Sequence, residues 1–200
     1  MINYSQPNFF EHLFKVVRLD LNTRDFIYDR FSGKSLLHVG CVDSMHYSKD
    51  DNLHIELSKR CPDIVGFDID IDGLHQLQED CPSTYYHNFD DVLSRQYDVV
   101  LVPEVIEHVW NVGEFVDSLA QIDTKEYFVS APYIGLFPSN ISHDGETLRE
   151  LVHADHKCWH SPYTLYNVFR KIIDAKSSPD MCDLYILKNN SSVVLHIRTK

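Results

Sequence analysis

Tyr97-Asp98-Val99-Val100-Leu101-Val102-Pro103-Glu104-Val105-Ile106-Glu107-His108-Val109 sets a short apolar run directly against two carboxylates and an imidazole. A run of this length, almost wholly apolar and closed by Pro103, reads as a strand buried on both faces, as strands of parallel sheets are. Three other runs share the form. Ser35-Leu36-Leu37-His38-Val39 ends in Gly40, Ile64-Val65-Gly66-Phe67 ends in Asp68, and Glu126-Tyr127-Phe128-Val129-Ser130 ends in Ala131-Pro132. Helical patterns over 53–61, 71–79 and 112–122 separate them. Strands alternating with helices argue for an α/β domain built on a parallel sheet.

Outward from this centre, the two ends differ. Phe9, Phe10, Leu13, Phe14, Val17 and Leu19 recur at helical spacing, and Asn22-Thr23 caps a second helix over Phe26, Ile27 and Phe31, so 1–31 reads as N-terminal helices. After Ser161-Pro162 a helix runs through Leu165, Val168, Phe169 and Ile172. Runs over 184–187 and 193–197, joined by Asn189-Asn190-Ser191, read as a closing antiparallel hairpin. The stretch 133–160 lacks clear periodicity, and a loop of that length in a compact domain is usually functional. No linker divides the chain, so 1–200 reads as one domain with its core over 35–198.

Composition excludes several classes. With 44% hydrophobic residues, 200 residues suffice for a real core, yet no apolar stretch reaches the 18 or so residues of a membrane span. Met1-Ile2-Asn3-Tyr4 lacks the basic start of a secretory leader. A net charge of -12 repels phosphate backbones, which makes nucleic acid an unlikely partner. Five cysteines without a CxxC spacing argue against a disulfide framework or a zinc knuckle and for reduced thiols in the cytoplasm. Oligomeric state is not legible.

Open parallel sheets bind ligands outside the carboxyl ends of their strands. Here three successive strand ends carry Gly40, Asp68 and Glu104. A glycine there allows close backbone approach to a ligand, and an acid can take both hydroxyls of a ribose. Taken singly, each is also explained as a turn glycine or a surface acid; in this order they point to a nucleoside site.

On these residues the chain resembles class I S-adenosylmethionine-dependent methyltransferases. His38-Val39-Gly40-Cys41 stands for the glycine-rich first motif, although its further glycines are replaced in Val42-Asp43-Ser44. Val65-Gly66-Phe67-Asp68-Ile69-Asp70 stands for the second, Asn88-Phe89 for the adenine contact, and 97–109 for the fourth. The resemblance implies a Rossmann-like sheet of about seven strands, the last antiparallel, with helices on both faces. It also implies S-adenosyl-L-methionine as cofactor, held by His38, Gly40, Cys41, Asp68, Ile69, Asn88, Phe89, Pro103 and Glu104.

Glu104, Glu107 and His108 stand at i, i+3 and i+4, so on a helix they would share a face. Two carboxylates and an imidazole suit Mg²⁺, Mn²⁺ or Zn²⁺, with a further ligand available from 153–160. The same residues resemble the metal-dependent small-RNA 2′-O-methyltransferases, which implies Glu104, Glu107, His108 and His156 as metal ligands. Glu-x-x-Glu-His also resembles ubiquinone-pathway and sugar O-methyltransferases, whose later histidine-tryptophan pattern is similar to Asp155-His156 and Trp159-His160-Ser161. In a metal-free alternative, His108 takes the acceptor's proton as general base, with Glu107 as its catalytic partner. A structural role for both is the third possibility. Tyr133, Phe137 and Trp159 are candidates for an acceptor wall.

The expectation is therefore methyl transfer to an oxygen of a small molecule, sugar or glycan. A catalytically degenerate binding module and a metal-dependent RNA 2′-O-methyltransferase are the alternatives.

Overall fold

The apolar runs form the inner strands of one mixed sheet in the computed structural model, which describes residues 15–43, 48–135, 141–143, 148–150 and 153–200. In chain order the first elements are β1 (Val16–Arg18), α1 (Thr23–Phe31), β2 (Leu36–Val39), α2 (Leu53–Ser58), β3 (Ile64–Phe67), α3 (Ile71–Asp80) and β4 (Thr84–Tyr86). Then follow α4 (Phe89–Val92), β5 (Tyr97–Pro103), a 3-10 turn (Ile106–His108), α5 (Val112–Gln121) and β6 (Thr124–Pro132). The remainder comprises β7 (Ile141–His143), β8 (Leu148–Glu150), α6 (Pro162–Val168), α7 (Arg170–Lys176), β9 (Cys182–Ile186) and β10 (Ser192–Arg198).

The main sheet has eight strands in the order β1-β9-β10-β6-β5-β2-β3-β4. Strands β2 to β6 run parallel, and β10 alone runs against its neighbours β6 and β9. Alternate strand residues feed opposite faces, as the two-residue repeat of a strand requires. Leu37, Val39, Val100, Val102 and Val129 pack with Val116 and Leu119 of α5 and with Leu165, Phe169 and Ile172. Leu36, Val99, Leu101 and Phe128 pack with Phe26, Ile27 and Phe31 of α1 and Leu57 of α2. This is the Rossmann-like α/β sheet expected from the sequence, with helices on both faces and one strand more than expected.

The added strand is β1. Val17 and Leu19 were expected to close a helix begun at Phe9, but Val16–Arg18 pairs in parallel with Leu184–Ile186. Two β-branched residues in succession suit an open sheet edge better than a helix end. Phe9, Phe10, Leu13 and Phe14 lie outside the described residues. The helix expected after Ser161 breaks at Phe169 into α6 and α7. Within 133–160, the expected loop contains the antiparallel ribbon of β7 and β8. No helix among the described residues is long and apolar enough to cross a membrane, and the five cysteines are unpaired.

Helix starts follow capping chemistry closely. The side chains of Asn22, Asn52, Asp70, Asn111 and Ser161 each accept a backbone N–H in the first turn of the helix they precede. Asn52 also donates to the Cys41 carbonyl at 3.3 Å, which ties the start of α2 to the loop leaving β2.

A partly buried ion cluster bridges β6 and β10 near the amino end of β6, away from the carboxyl ends of the strands. Glu126 on β6 accepts from His196 Nε2 of β10 at 2.8 Å and from Lys34 Nζ at 2.9 Å. The His196 hydrogen bond, helped by Lys34, draws the Glu126 carboxyl from 4.5 down to about 2. A carboxyl depressed in the folded state stabilises the fold above its unfolded pKa of about 4.5, and that contribution disappears as pH falls through about 2. Glu126→Gln should therefore cost on the order of 2 kcal/mol at neutral pH, and the gap to wild type should close on acidification. Urea titrations at a series of pH values test this, and a gap independent of pH would contradict it.

Candidate functional site

The carboxyl ends of β2, β3 and β5 open into a cavity of about 810 Å³, within the range of small-molecule sites. Gly40, Asp68 and Glu104 all line it, as do His38, Cys41, Ile69, Phe89, Pro103 and His108. Asn88 and Glu107 are not part of its wall. Asn88 instead caps α4, its side-chain oxygen accepting the Asp90 N–H at 3.1 Å.

Backbone geometry builds the floor. Gly40 has φ +73°, and its N–H donates to the Phe67 carbonyl at 2.8 Å. A side chain there would drive a Cβ to 2.4 Å from Val105 Cγ2. Asp68 is held by backbone donors, among them Val42 N–H at 2.9 Å to Oδ2 and Asp70 N–H at 3.0 Å to Oδ1, with the Ile69 N–H adding to them. Each oxygen keeps a lone pair for a ligand hydroxyl. Burial nevertheless pushes the Asp68 carboxyl upward against those hydrogen bonds. Phe89 lies 4.2 Å from Phe67 and 6.1 Å from Phe115, ring centre to ring centre, giving the cavity an aromatic side.

The helix expected over 104–108 is only one 3-10 turn, Ile106–His108, preceded by Glu104 at φ +51°. A left-handed non-glycine residue stores strain, and such positions cluster at functional sites. The turn is too short to line up three side chains on one helical face. Glu107 is 1% exposed, and its Oε2, like Glu104 Oε1, has no hydrogen-bond partner among the described residues. Burial raises both carboxyls; Ser130 and Ser192 hydrogen bonds offset this for Glu104, and the Glu104 charge adds to it for Glu107. Burial and the neighbouring Glu104 charge both favour the neutral form of Glu107.

His108 is the best-oriented group at the rim. Its Nδ1 lies 2.9 Å from Asp155 Oδ2, and its Nε2 lies 3.9 Å from Glu107 Oε1. Lys157 Nζ donates to Asp155 Oδ1 at 2.5 Å, while the Lys157 N–H donates to the Glu107 carbonyl at 2.7 Å. These bonds dock 153–157 against the 3-10 turn. They bring His153 and His156 to His108, and the three imidazoles offer nitrogens within 4.8 Å of one another. Burial, reinforced by His108 and His153, lowers the His156 pKa.

Of the four expected metal ligands, then, His108 and His156 meet with His153, while Glu107 is buried and Glu104 is half-buried on the cavity wall. Sequence reasoning offered 153–160 only as a source of one ligand; the His-x-x-His spacing was the available signal. It missed Asp155 as a partner of His108, which depends on a contact across 47 positions of chain. Of the acceptor-wall candidates, Phe137 lies outside the described residues, and Tyr133 pairs by a backbone bridge with His160.

No protein-family model matches the chain, and no curated protein matches it in sequence. Solved structures do match in shape. An S-adenosylmethionine-dependent methyltransferase from Archaeoglobus fulgidus superposes with a TM-score of 0.59 at 11% identity, over 88% of this chain and 95% of that one. Magnesium protoporphyrin IX methyltransferase from Synechocystis PCC 6803, with bound S-adenosylhomocysteine, gives 0.56 at 14% identity, over 89% and 82%. A chain of the Pnkp1/Rnl/Hen1 RNA repair complex gives 0.58 at 14% identity over 88% of this chain, which spans only 40% of that longer one. These likenesses establish the fold as the one shared by class I methyltransferases.

Proposed function

We propose that the protein transfers a methyl group from S-adenosyl-L-methionine to an oxygen of a small molecule, sugar or glycan. The observation that carries this reading is that one cavity is lined both by the strand-end residues Gly40 and Asp68 and by the aspartate-braced His108. The residues fit the cofactor: Asp68 has free lone pairs for ribose hydroxyls, Phe89 offers a ring face for adenine, and Gly40 leaves room for the amino-acid end. S-adenosylmethionine supplies an electrophilic methyl on a sulfonium.

The chain's own task is then alignment and proton removal. Asp155 accepts from His108 Nδ1–H, which leaves Nε2 as the bare nitrogen able to take the acceptor hydroxyl's proton. The net charge of -12 favours a neutral or cationic acceptor over a polyanion. Calorimetric titration with S-adenosylmethionine and S-adenosylhomocysteine tests the reading. Micromolar binding is expected, and no heat at millimolar ligand would overturn it.

A second reading is favoured by the three imidazoles, with the buried Glu107 carboxylate 3.9 Å from His108 Nε2, a donor set suited to Zn²⁺ or Mn²⁺. His108, His153 and His156 would hold the ion, with Glu104 and Glu107 supplying negative charge behind them. Bound there, a cation would acidify an acceptor hydroxyl. His153→Ala should then weaken Zn²⁺ or Mn²⁺ binding tenfold or more, the usual scale for a lost ligand or its support, while S-adenosylhomocysteine affinity stays within twofold. Identical metal titrations of the variant and wild type would remove this reading.

A further inference from the structure

Trp110 is the most exposed large apolar side chain among the described residues, at 86%, and it lines the cavity two positions beyond His108. Single apolar side chains are ordinary on a protein surface, but this one is held in place. Before it, the Val109 N–H donates to the Ile106 carbonyl at 3.3 Å and closes the 3-10 turn. After it, Asn111 caps α5 by accepting the Glu114 N–H at 3.3 Å. Lys157 Nζ stands 4.8 Å from the centre of the indole ring. The same ammonium donates to Asp155 Oδ1 at 2.5 Å and to the Asp155 carbonyl at 2.7 Å. An ammonium has three N–H donors, so two are spent on Asp155 and the third is left for the ring.

Lys157 is not part of the cavity wall and Trp110 is, so the ring surface that meets the cavity is the one Lys157 leaves uncovered. Val109 and Phe115 line the same cavity, which adds apolar surface to the indole. The wall also carries charge: Glu104 and Asp155 both line the cavity that His108 enters. A rigid indole, bare toward the cavity and with a cation already against it, is a built surface rather than a stray side chain.

We infer that Trp110 is the platform that selects the methyl acceptor, and that the acceptor is a neutral hydroxylated aromatic ring stacked on the indole with its hydroxyl turned toward His108. The inference rests on the methyl-transfer reading above. Flat rings stacked with an offset attract one another beyond the area they bury, which a puckered sugar matches less well. A cationic acceptor would compete for a ring whose quadrupole Lys157 already engages. An anionic acceptor is opposed by the Glu104 and Asp155 carboxylates on the wall. A phenolic hydroxyl also ionises near about 10, against about 15.7 for water, so it yields its proton to an imidazole far more readily than a water-like aliphatic hydroxyl does.

Four probes test this on protein saturated with S-adenosylhomocysteine: 4-ethylphenol, its ammonium analogue tyramine, its carboxylate analogue 4-hydroxyphenylpropionate, and methyl glucoside. Fluorescence reports contact with the platform, because the chain has two tryptophans and Trp159 is half-buried while Trp110 is exposed. 4-Ethylphenol should quench the exposed emission with half-saturation at millimolar concentration or below, and Trp110→Phe should abolish that signal. Tyramine, the carboxylate and the glucoside should each bind at least about threefold more weakly, the scale of one exposed cation–ring contact. Calorimetry then compares variants. Trp110→Ala should lose about tenfold in affinity for 4-ethylphenol, the scale of one stacked aromatic pair, and Trp110→Phe should stay within about threefold of wild type. S-adenosylhomocysteine affinity should stay within twofold in both. With S-adenosylmethionine in place of the product, KM for 4-ethylphenol should rise in step in Trp110→Ala, with kcat little changed.

Tighter binding of tyramine, the carboxylate or the glucoside than of 4-ethylphenol would overturn the acceptor class. Unchanged 4-ethylphenol affinity in Trp110→Ala would overturn the platform, and so would an equal fall in S-adenosylhomocysteine affinity, which would put the indole against the nucleoside. A 4-ethylphenol that binds and is never methylated would overturn its standing as an acceptor. Wild-type protein that binds S-adenosylhomocysteine and none of the four probes overturns this inference alone, and wild-type protein that does not bind S-adenosylhomocysteine overturns the methyl-transfer reading with it.

Discussion

His108→Ala is expected to lower methyl transfer by about 10²- to 10⁴-fold, the usual worth of a positioned general base, while S-adenosylhomocysteine affinity changes by less than twofold. The separation follows from position. His108 stands at the rim, about a third exposed and bonded to Asp155, whereas the floor is built by Gly40, Asp68 and Phe89 from other strand ends. Turnover is read as S-adenosylhomocysteine release against a panel of phenols, sugars and short oligoribonucleotides. Asp155→Asn should give a smaller loss, about 10- to 100-fold, because the amide can place the wrong hydrogen-bonding group against Nδ1 and so favour the unproductive tautomer.

The same variant separates the readings of the rim. A metal-free base predicts that metal titrations of wild type and His108→Ala are alike. A three-imidazole site predicts that metal binding and turnover fall together. Unchanged turnover in His108→Ala would remove His108 as the base, and a wild type that binds S-adenosylhomocysteine but turns over none of the panel would leave the cavity as a binding site.

What was legible in the sequence were features encoded within one element. The central strands are continuous apolar runs because both faces are covered, and their lengths follow from β2, β3 and β5 as observed. Gly40 and Asp68 were legible because strand-end chemistry is fixed by backbone geometry at a single residue. Edge strands were not: β4 has three residues, and β1 owes its state to the hydrogen bonds that β9 offers it. The 104–108 segment misled because i, i+3, i+4 spacing presumes helix, whereas Glu104 adopts φ +51° to turn out of β5. The histidine cluster was half legible. His153, Asp155 and His156 are local to one another, but they meet His108 through bonds across the chain, the Lys157 N–H to the Glu107 carbonyl and His108 to Asp155.

Gly40→Ala should cost about 2–5 kcal/mol and weaken nucleoside binding with it. About 1–2 kcal/mol comes from placing an L residue at φ +73°, where Cβ crowds the carbonyl oxygen. A further 1–3 kcal/mol or so comes from overpacking, since the new Cβ would stand 2.4 Å from Val105 Cγ2. For a chain of this size the melting temperature should fall by about 5–15 °C. The clash has only two reliefs. Moving Val105 displaces the neighbouring Glu104 at the cavity wall, and moving Gly40 breaks its 2.8 Å bond to the Phe67 carbonyl, next to Asp68. Either way the floor shifts, so S-adenosylhomocysteine affinity should drop at least tenfold. Val105→Ala in the Gly40→Ala background removes the clash but leaves the backbone strain. The double variant should therefore be more stable than the sum of the single losses by 1 kcal/mol or more. Strict additivity would show that the two residues do not press on one another, and a Gly40→Ala protein melting within 1 °C of wild type would refute the left-handed turn on which the cavity floor depends.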